Sequence, residues 1–159
     1  MDGKLKILLT EVNKLHARKE LAQNVGSDYF EPGMMEYLDK SDGQFNAVTG
    51  EILIRFEAKG TRYEGRTEQI EKVQLHDEVA VRRDVKNSYN ANNYELLTTT
   101  GKSLGYMPAE LCNAIAPLHD SGRLQFQGAR VSYVEPISQR SRHAKQAVLF
   151  VEMRLLLQN

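Results

Sequence analysis

From Gly50 onward the apolar residues recur every second position. Ile52, Ile54, Phe56 and Ala58 alternate with Glu51, Leu53, Arg55, Glu57 and Lys59. That period puts one set on one face of a strand, which is the pattern of half-buried β structure. Gly60 interrupts the run and Gly65 closes it, so a bend or bulge followed by a turn is expected. Val73 and Leu75 lead into a polar break at His76-Asp77-Glu78, after which VAVRRDV begins a second alternating strand. YELLTTT (94–100) and SLGY (103–106) flank Gly101-Lys102 and read as a β-hairpin. Pro108 then opens a helix whose inner face is Leu111, Ile115 and Leu118, at i, i+4 and i+7. Pro117 predicts an irregular last turn, and Gly122 ends it. RLQFQGARVSYVEP and KQAVLFVEMRLLL are two long closing strands, joined by a polar, basic loop, SQRSRHAK. About six short strands and one helix, with antiparallel hairpins dominant, fit a small barrel or sandwich. The absence of βαβ alternation argues against a Rossmann-type sheet.

Residues 4–24 follow a different rule. Leu5, Leu8, Leu9, Val12 and Leu15 form one stripe of an amphipathic helix, and Asn24 and Gly26 supply a stop. Such a helix packs on its own domain, on a second copy (a possible homo-oligomer) or on a partner. Residues 25–50 are rich in Gly, Asp, Ser and Asn and contain Pro32, as a connection does, with room for a helical turn in FEPGMMEYL. The expected organisation is a helical N-terminal extension and linker over 1–48 and a β-rich domain over 49–159.

Several function classes lack the residues they need. No apolar run approaches the roughly 20 residues of a membrane span, and the N-terminus carries no signal-peptide cleavage pattern. A cytoplasmic protein with no membrane partner is therefore expected. Cys112 is the single cysteine. It excludes an intrachain disulfide and any cysteine-based zinc cage, and reads as a small apolar core residue. His16, His76, His119 and His143 stand at no metal-ligand spacing, and there is no GxSxG, HExxH or P-loop. Gly101-Lys102 is a hairpin turn rather than a phosphate cradle. His76-Asp77-Glu78 cannot converge on one ligand from neighbouring strand positions. No catalytic activity, cofactor or metal is expected.

The net charge of zero hides an asymmetry. Residues 1–57 carry seven Lys/Arg against ten Asp/Glu, and residues 58–159 carry fourteen against eleven. Two segments of the basic part mix arginines, tyrosines and amides: 59–66, KGTRYEGR, and 82–92, RRDVKNSYNAN. Guanidinium forks match phosphate oxygens, tyrosine offers a flat face for a base, and asparagine both donates and accepts. Binding of single-stranded nucleic acid uses this combination, although a turn-rich loop of solvated charges has the same composition.

Arg83-Asp84 followed by Asn87-Ser88-Tyr89-Asn90-Ala91-Asn92 resembles the RDPNNPYDxNA signature of the HIRAN domain. The match continues through Gly101, Leu104-Gly105-Tyr106, Pro108, Glu110 and Leu111. Upstream, Gly60-x-Arg62-Tyr63 resembles the family's Arg-Tyr strand. The resemblance covers about residues 50–157 and implies a small OB/SH3-like β-barrel with one or two helices. It also implies that the chain binds single-stranded DNA at a free 3′-hydroxyl end, as a stand-alone domain or beside a helicase or nuclease partner. Carried over by position, it implies that Arg62 holds a backbone phosphate, that Tyr63 stacks or lines the pocket, and that Tyr89 stacks on the terminal base. Asn87 and Asn90 would contact the terminal nucleotide and its hydroxyl. Tyr106 stands where some members carry a phosphate-holding His, and Arg83 and Asn92 complete the candidate set. Asn90, Ser88 and Glu64 depart from the family's Asp, Pro and second Tyr. They leave open the alternative of a protein-interaction or structural module that has lost its ligand.

Overall fold

The alternation beginning at Glu51 closes one sheet of a two-sheet fold in the computed structural model, which describes residues 43–46 and 48–158. The expected helix over 4–24 and most of the linker lie outside the described residues. The elements in chain order are β1 (Gln44–Phe45), β2 (Glu51–Glu57), α1 (Arg66–Glu71), β3 (Ala80–Arg83), β4 (Tyr94–Leu97), β5 (Ser103–Tyr106), α2 (Ala109–Asp120), β6 (Leu124–Glu135) and β7 (Val148–Leu157). A single 3₁₀ turn, Ile137–Gln139, lies in the β6–β7 loop.

The first sheet has the order β1-β2-β7-β6, antiparallel throughout. Its register sets Ile52 opposite Leu155, Ile54 opposite Met153 and Phe56 opposite Val151, all buried. The two-residue period of both strands thus makes one apolar face. α2 covers the core with Leu111, Cys112, Ile115 and Leu118. Each large side chain buried there contributes about 1.5–3 kcal/mol relative to exposure. The second sheet has the order β3-β4-β5, and its hairpin turns at Gly101-Lys102 as the sequence predicts.

The sheets meet along two seams. At one, Lys59 and Tyr106 exchange both backbone hydrogen bonds, each 2.8 Å. At the other, Val79 donates to Ala129 (3.0 Å), His76 to Val131 (2.9 Å) and Val131 to Asp77 (2.8 Å).

Three expectations need correction. The barrel is not closed: four strands and three strands form separate sheets joined only at these seams. The cause is the 76–78 turn, where His76 takes φ 73° and the Asp77 carboxylate accepts from the Gln74 backbone (2.9 Å). The chain leaves β6 after one bridge, and β3 starts only at Ala80. Second, among the described residues the domain over 49–159 has the six strands expected, β2–β7, with the short β1 just before it, but the segment after Gly65 is a second helix, α1, rather than a plain turn. Left-handed Gly65 (φ 77°) turns the chain into it, and Arg66, Ile70 and Val73 give it a buried side. Third, α2 runs regularly past Pro117 to Asp120. The missing N–H removes one helical bond on an exposed face without ending the helix.

Gly105 holds the first seam together. Its φ is +135°, and a Cβ there would lie 2.5 Å from the Lys59 carbonyl oxygen, which is the acceptor of the bridge itself. Gly105→Ala is expected to cost about 2–3 kcal/mol, read as a lowered midpoint in thermal or urea unfolding. Gly101→Ala also forces a positive φ (86°) but meets nothing within 4 Å, and it is expected to cost less.

Candidate functional site

The loop over 59–65 is folded by three left-handed residues, Gly60, Glu64 and Gly65, and by one arginine. Arg66 is 2% exposed. Its Nε donates to Ser103 Oγ (2.9 Å), its Nη1 to the Gly60 carbonyl (3.0 Å), and its Nη2 to Glu64 Oε2 and the Tyr106 phenol oxygen (3.0 Å each). Its guanidinium carbon also lies 4.6 Å from the Tyr106 ring centroid. A buried guanidinium is tolerated when nearly all its donors are met in this way. Thr61, also buried, donates to the Ala147 carbonyl (3.2 Å) and so fastens the loop to the β6–β7 turn. Arg62 and Tyr63 are left outside this clamp. Tyr63 is 55% exposed, and the Arg62 guanidinium sits 4.9 Å over its ring.

The loop between β3 and β4 is built from asparagine. Asn87 Oδ1 accepts from the backbones of Tyr89 (2.9 Å) and Asn90 (3.0 Å), and Asn90 Oδ1 accepts from that of Asn92 (2.9 Å). These side-chain turns stand in for backbone ones. The amides of Asn90 and Asn92 both donate to Asn113 Oδ1 on α2, at 3.0 and 3.2 Å. Arg83 donates to the Asn92 carbonyl (3.1 Å), to Asn92 Oδ1 (3.3 Å) and to Asp120 Oδ2 (3.1 Å). Its Nε is buried and has no hydrogen-bond partner among the described residues. Tyr89, at the tip of this frame, is 97% exposed.

Tyr94 lies beneath Arg83, whose guanidinium carbon is 5.1 Å from the ring, and its phenol meets His119 Nδ1 at 2.8 Å. Burial pushes its ionisation up to about 12, against the opposing pull of Arg83. Burial likewise pushes the Cys112 thiol up to about 11, opposed by hydrogen bonding and by Arg83.

The candidate residues therefore form two groups. Arg83, Asn87, Asn90 and Asn92 share one network on the α2 flank, with Tyr89 projecting from it. Arg62, Tyr63 and Tyr106 group on the β5 flank. No hydrogen bond among the described residues joins a member of one group to a member of the other. Between them runs a cross-strand row, Arg82–Glu95–Tyr106–Lys59. Within it the Glu95 carboxylate accepts from Arg82 and from Ser103 Oγ. Arg83, one residue beyond Arg82, points to the opposite face.

Arg66, Asn113, Asp120 and the Arg82–Glu95 pair escaped the sequence-based set. Arg66 had a local signal, the helical spacing to Ile70 and Val73 after Gly65. The partners on α2 had none, because they meet the loop only through the fold. Among the described residues no cluster of His, Cys, Asp and Glu could hold a metal ion, and no helix is long and apolar enough to cross a membrane.

Comparison with known proteins agrees with this architecture. The HIRAN domain family profile matches residues 52–149, well over half of the chain, and the protein belongs to the HIRAN domain family. The crystal structure of the HIRAN domain of human HLTF superposes with a TM-score of 0.51 at 21% identity, covering 69% of this chain and 82% of that one. A crystal structure of a protein from Lactobacillus plantarum gives 0.50 at 17% identity, over 66% and 98% of the two chains. The NMR structure of the HLTF domain in its DNA-bound conformation gives 0.45 at 22% identity, over 67% and 76%. No curated protein matches the sequence.

The buried phenol makes a pH prediction. Below pH 10 Tyr94 is protonated in both folded and unfolded chains, and its contribution to stability is complete. As pH rises from 10 through about 12, only the unfolded chain ionises readily, so that contribution is lost. Phenolate absorbance is expected to show a late-titrating group that Tyr94→Phe removes, and the variant's stability is expected to fall less between those pH values.

Proposed function

We propose that this protein is a nucleic-acid-binding module that holds the end of single-stranded DNA, with the terminal 3′-hydroxyl nucleotide against the Tyr89 loop. The observation that carries the reading is Tyr89 itself. An aromatic ring 97% exposed on a loop fixed by three asparagine side chains is costly to leave in water, and ready-made for a base to stack on. Tyr63 with Arg62 offers a second ring beside a cation. Lys59 and Tyr106 close the row between the flanks, where Tyr106 is to help hold phosphate. Family membership supports the same reading, and the HIRAN domain of human HLTF has a DNA-bound conformation.

The residue roles follow the same proposal. Tyr89 stacks on the terminal base, Arg62 meets a backbone phosphate, and Tyr63 lines the strand's path. Asn87 and Asn90 offer amide groups to the last nucleotide, and Arg83 and Asn92 hold the loop in place. A protein-interaction or structural module is the second reading. One observation favours it: Arg83, Asn90 and Asn92 already direct their polar groups inward, to Asp120, Asn113 and each other.

Fluorescence anisotropy with labelled oligonucleotides, free or blocked at the 3′ end, tests the choice. Salt-sensitive binding that prefers the free end is expected. Tyr89→Ala is expected to weaken it by about 1–3 kcal/mol with an unchanged unfolding midpoint, since the ring packs on nothing. Negligible signal for both oligonucleotides at low salt would reject the function.

A further inference from the structure

The basic loop between β6 and β7 has no place in the site described so far. Three polar anchors hold it to the body. Ser138 donates its backbone N–H and its hydroxyl to the Glu71 carboxylate of α1, at 2.9 and 2.7 Å. Arg140 donates to the Gln146 carbonyl (3.2 Å), spanning the loop, and lies 3.7 Å from the Glu135 carboxylate. Thr61 donates to the Ala147 carbonyl (3.2 Å). The last anchor is the informative one, because Thr61 is the residue before Arg62. It sets the end of the basic loop directly against the loop that carries the Arg62–Tyr63 pair.

The cations differ in how they are used. Arg140 is engaged in holding the loop. Arg142 and Lys145 are exposed, and their side chains have no hydrogen-bond or ion-pair partner among the described residues; the same holds for the His143 ring. The carboxylates nearest in the loop's own framework, Glu71 and Glu135, are taken up by Ser138, Tyr133 and Arg140. Two unneutralised cations stand on a pinned loop whose end is hydrogen-bonded to Thr61, the residue before the exposed Arg62, an arrangement suited to a polyanion rather than to a solvated tail. The ordering entropy has largely been spent by the anchors, and the positive field is not cancelled locally.

We propose that Arg142 and Lys145, with His143 between them, form a second phosphate-contacting segment. It continues from Arg62 and holds the sugar-phosphate backbone of a strand beyond its terminal nucleotides. The inference rests on the proposed nucleic-acid function and adds a distinct consequence: affinity grows with strand length through contacts that carry no sequence information. Removing these cations shortens the effective footprint and leaves the Tyr89 loop intact.

The test compares the intact chain with R142A/K145A, using oligothymidylates of about four and about sixteen nucleotides, which bracket the footprint of a small single-strand-binding domain. The expected result is a loss of about tenfold for the long strand at low salt and less than about twofold for the short one. The slope of log affinity against log salt is expected to fall by about 1.4 for the long strand, from two lost phosphate contacts. R142Q/K145Q, which keeps the side-chain bulk, is expected to behave the same way, and unchanged unfolding midpoints establish that both variants fold. Equal losses on both lengths, or none on either, overturn the second segment while leaving the end-binding function standing. Failure of the intact chain to bind either strand overturns both.

Discussion

The buried Arg66 guanidinium is the interaction on which the β5 flank is organised. It ties α1, the 59–65 loop, Ser103 and Tyr106 into one unit through four hydrogen bonds. Burying such a group is costly unless nearly every donor is met, so the loop around it has little freedom to take another shape. The left-handed conformation of Glu64 fits this account. A non-glycine residue there is strained, and the contact between its carboxylate and Arg66 (3.0 Å) offsets the strain. Holding Arg66 in is also what turns Arg62 and Tyr63 out.

The α2 flank solves the same problem with a less deeply buried arginine, Arg83, and a run of amide side chains. Where the family signature has proline, this chain has Ser88, and stiffness comes from side-chain turns at Asn87 and Asn90 and from the single acceptor Asn113 Oδ1. These bonds are near the surface, where each contributes about 0.5–1.5 kcal/mol net. The loop is therefore stabilised by many small terms rather than one large one. Its shape depends on α2 being in register beneath it, which Leu111, Ile115 and Leu118 ensure from the core side.

Much of this was legible in the chain itself, for reasons that differ by element. The period of two over 51–58 identified β2 and its buried face, because strand alternation is a local property. The 94–106 hairpin and the inner face of α2 were readable on the same ground. The division into two sheets was not, since it depends on how the 76–78 turn meets β6, a contact across more than fifty residues. The choice between Arg62 and Arg66 could not be made from composition. Both lie in KGTRYEGR, and only the left-handed Gly65 opening α1 sends one inward and the other to water. Tyr89 and the asparagines were visible as a motif, but their anchoring to Asn113 and Asp120 was not, because nothing in a helix's outward face announces what will rest on it.

The one cysteine of the chain sits on the buried face of α2, sealed from water, with its thiol shifted well above the range in which it would ionise near neutrality. The folded protein is therefore silent toward thiol reagents. A cysteine introduced in place of Tyr89 or Ser88, both in open water, would be the sole nucleophilic sulfur on the surface. A fluorophore or spin label can be attached there to follow the loop with no background substitution elsewhere, an experimental convenience that comes directly from how the core is packed.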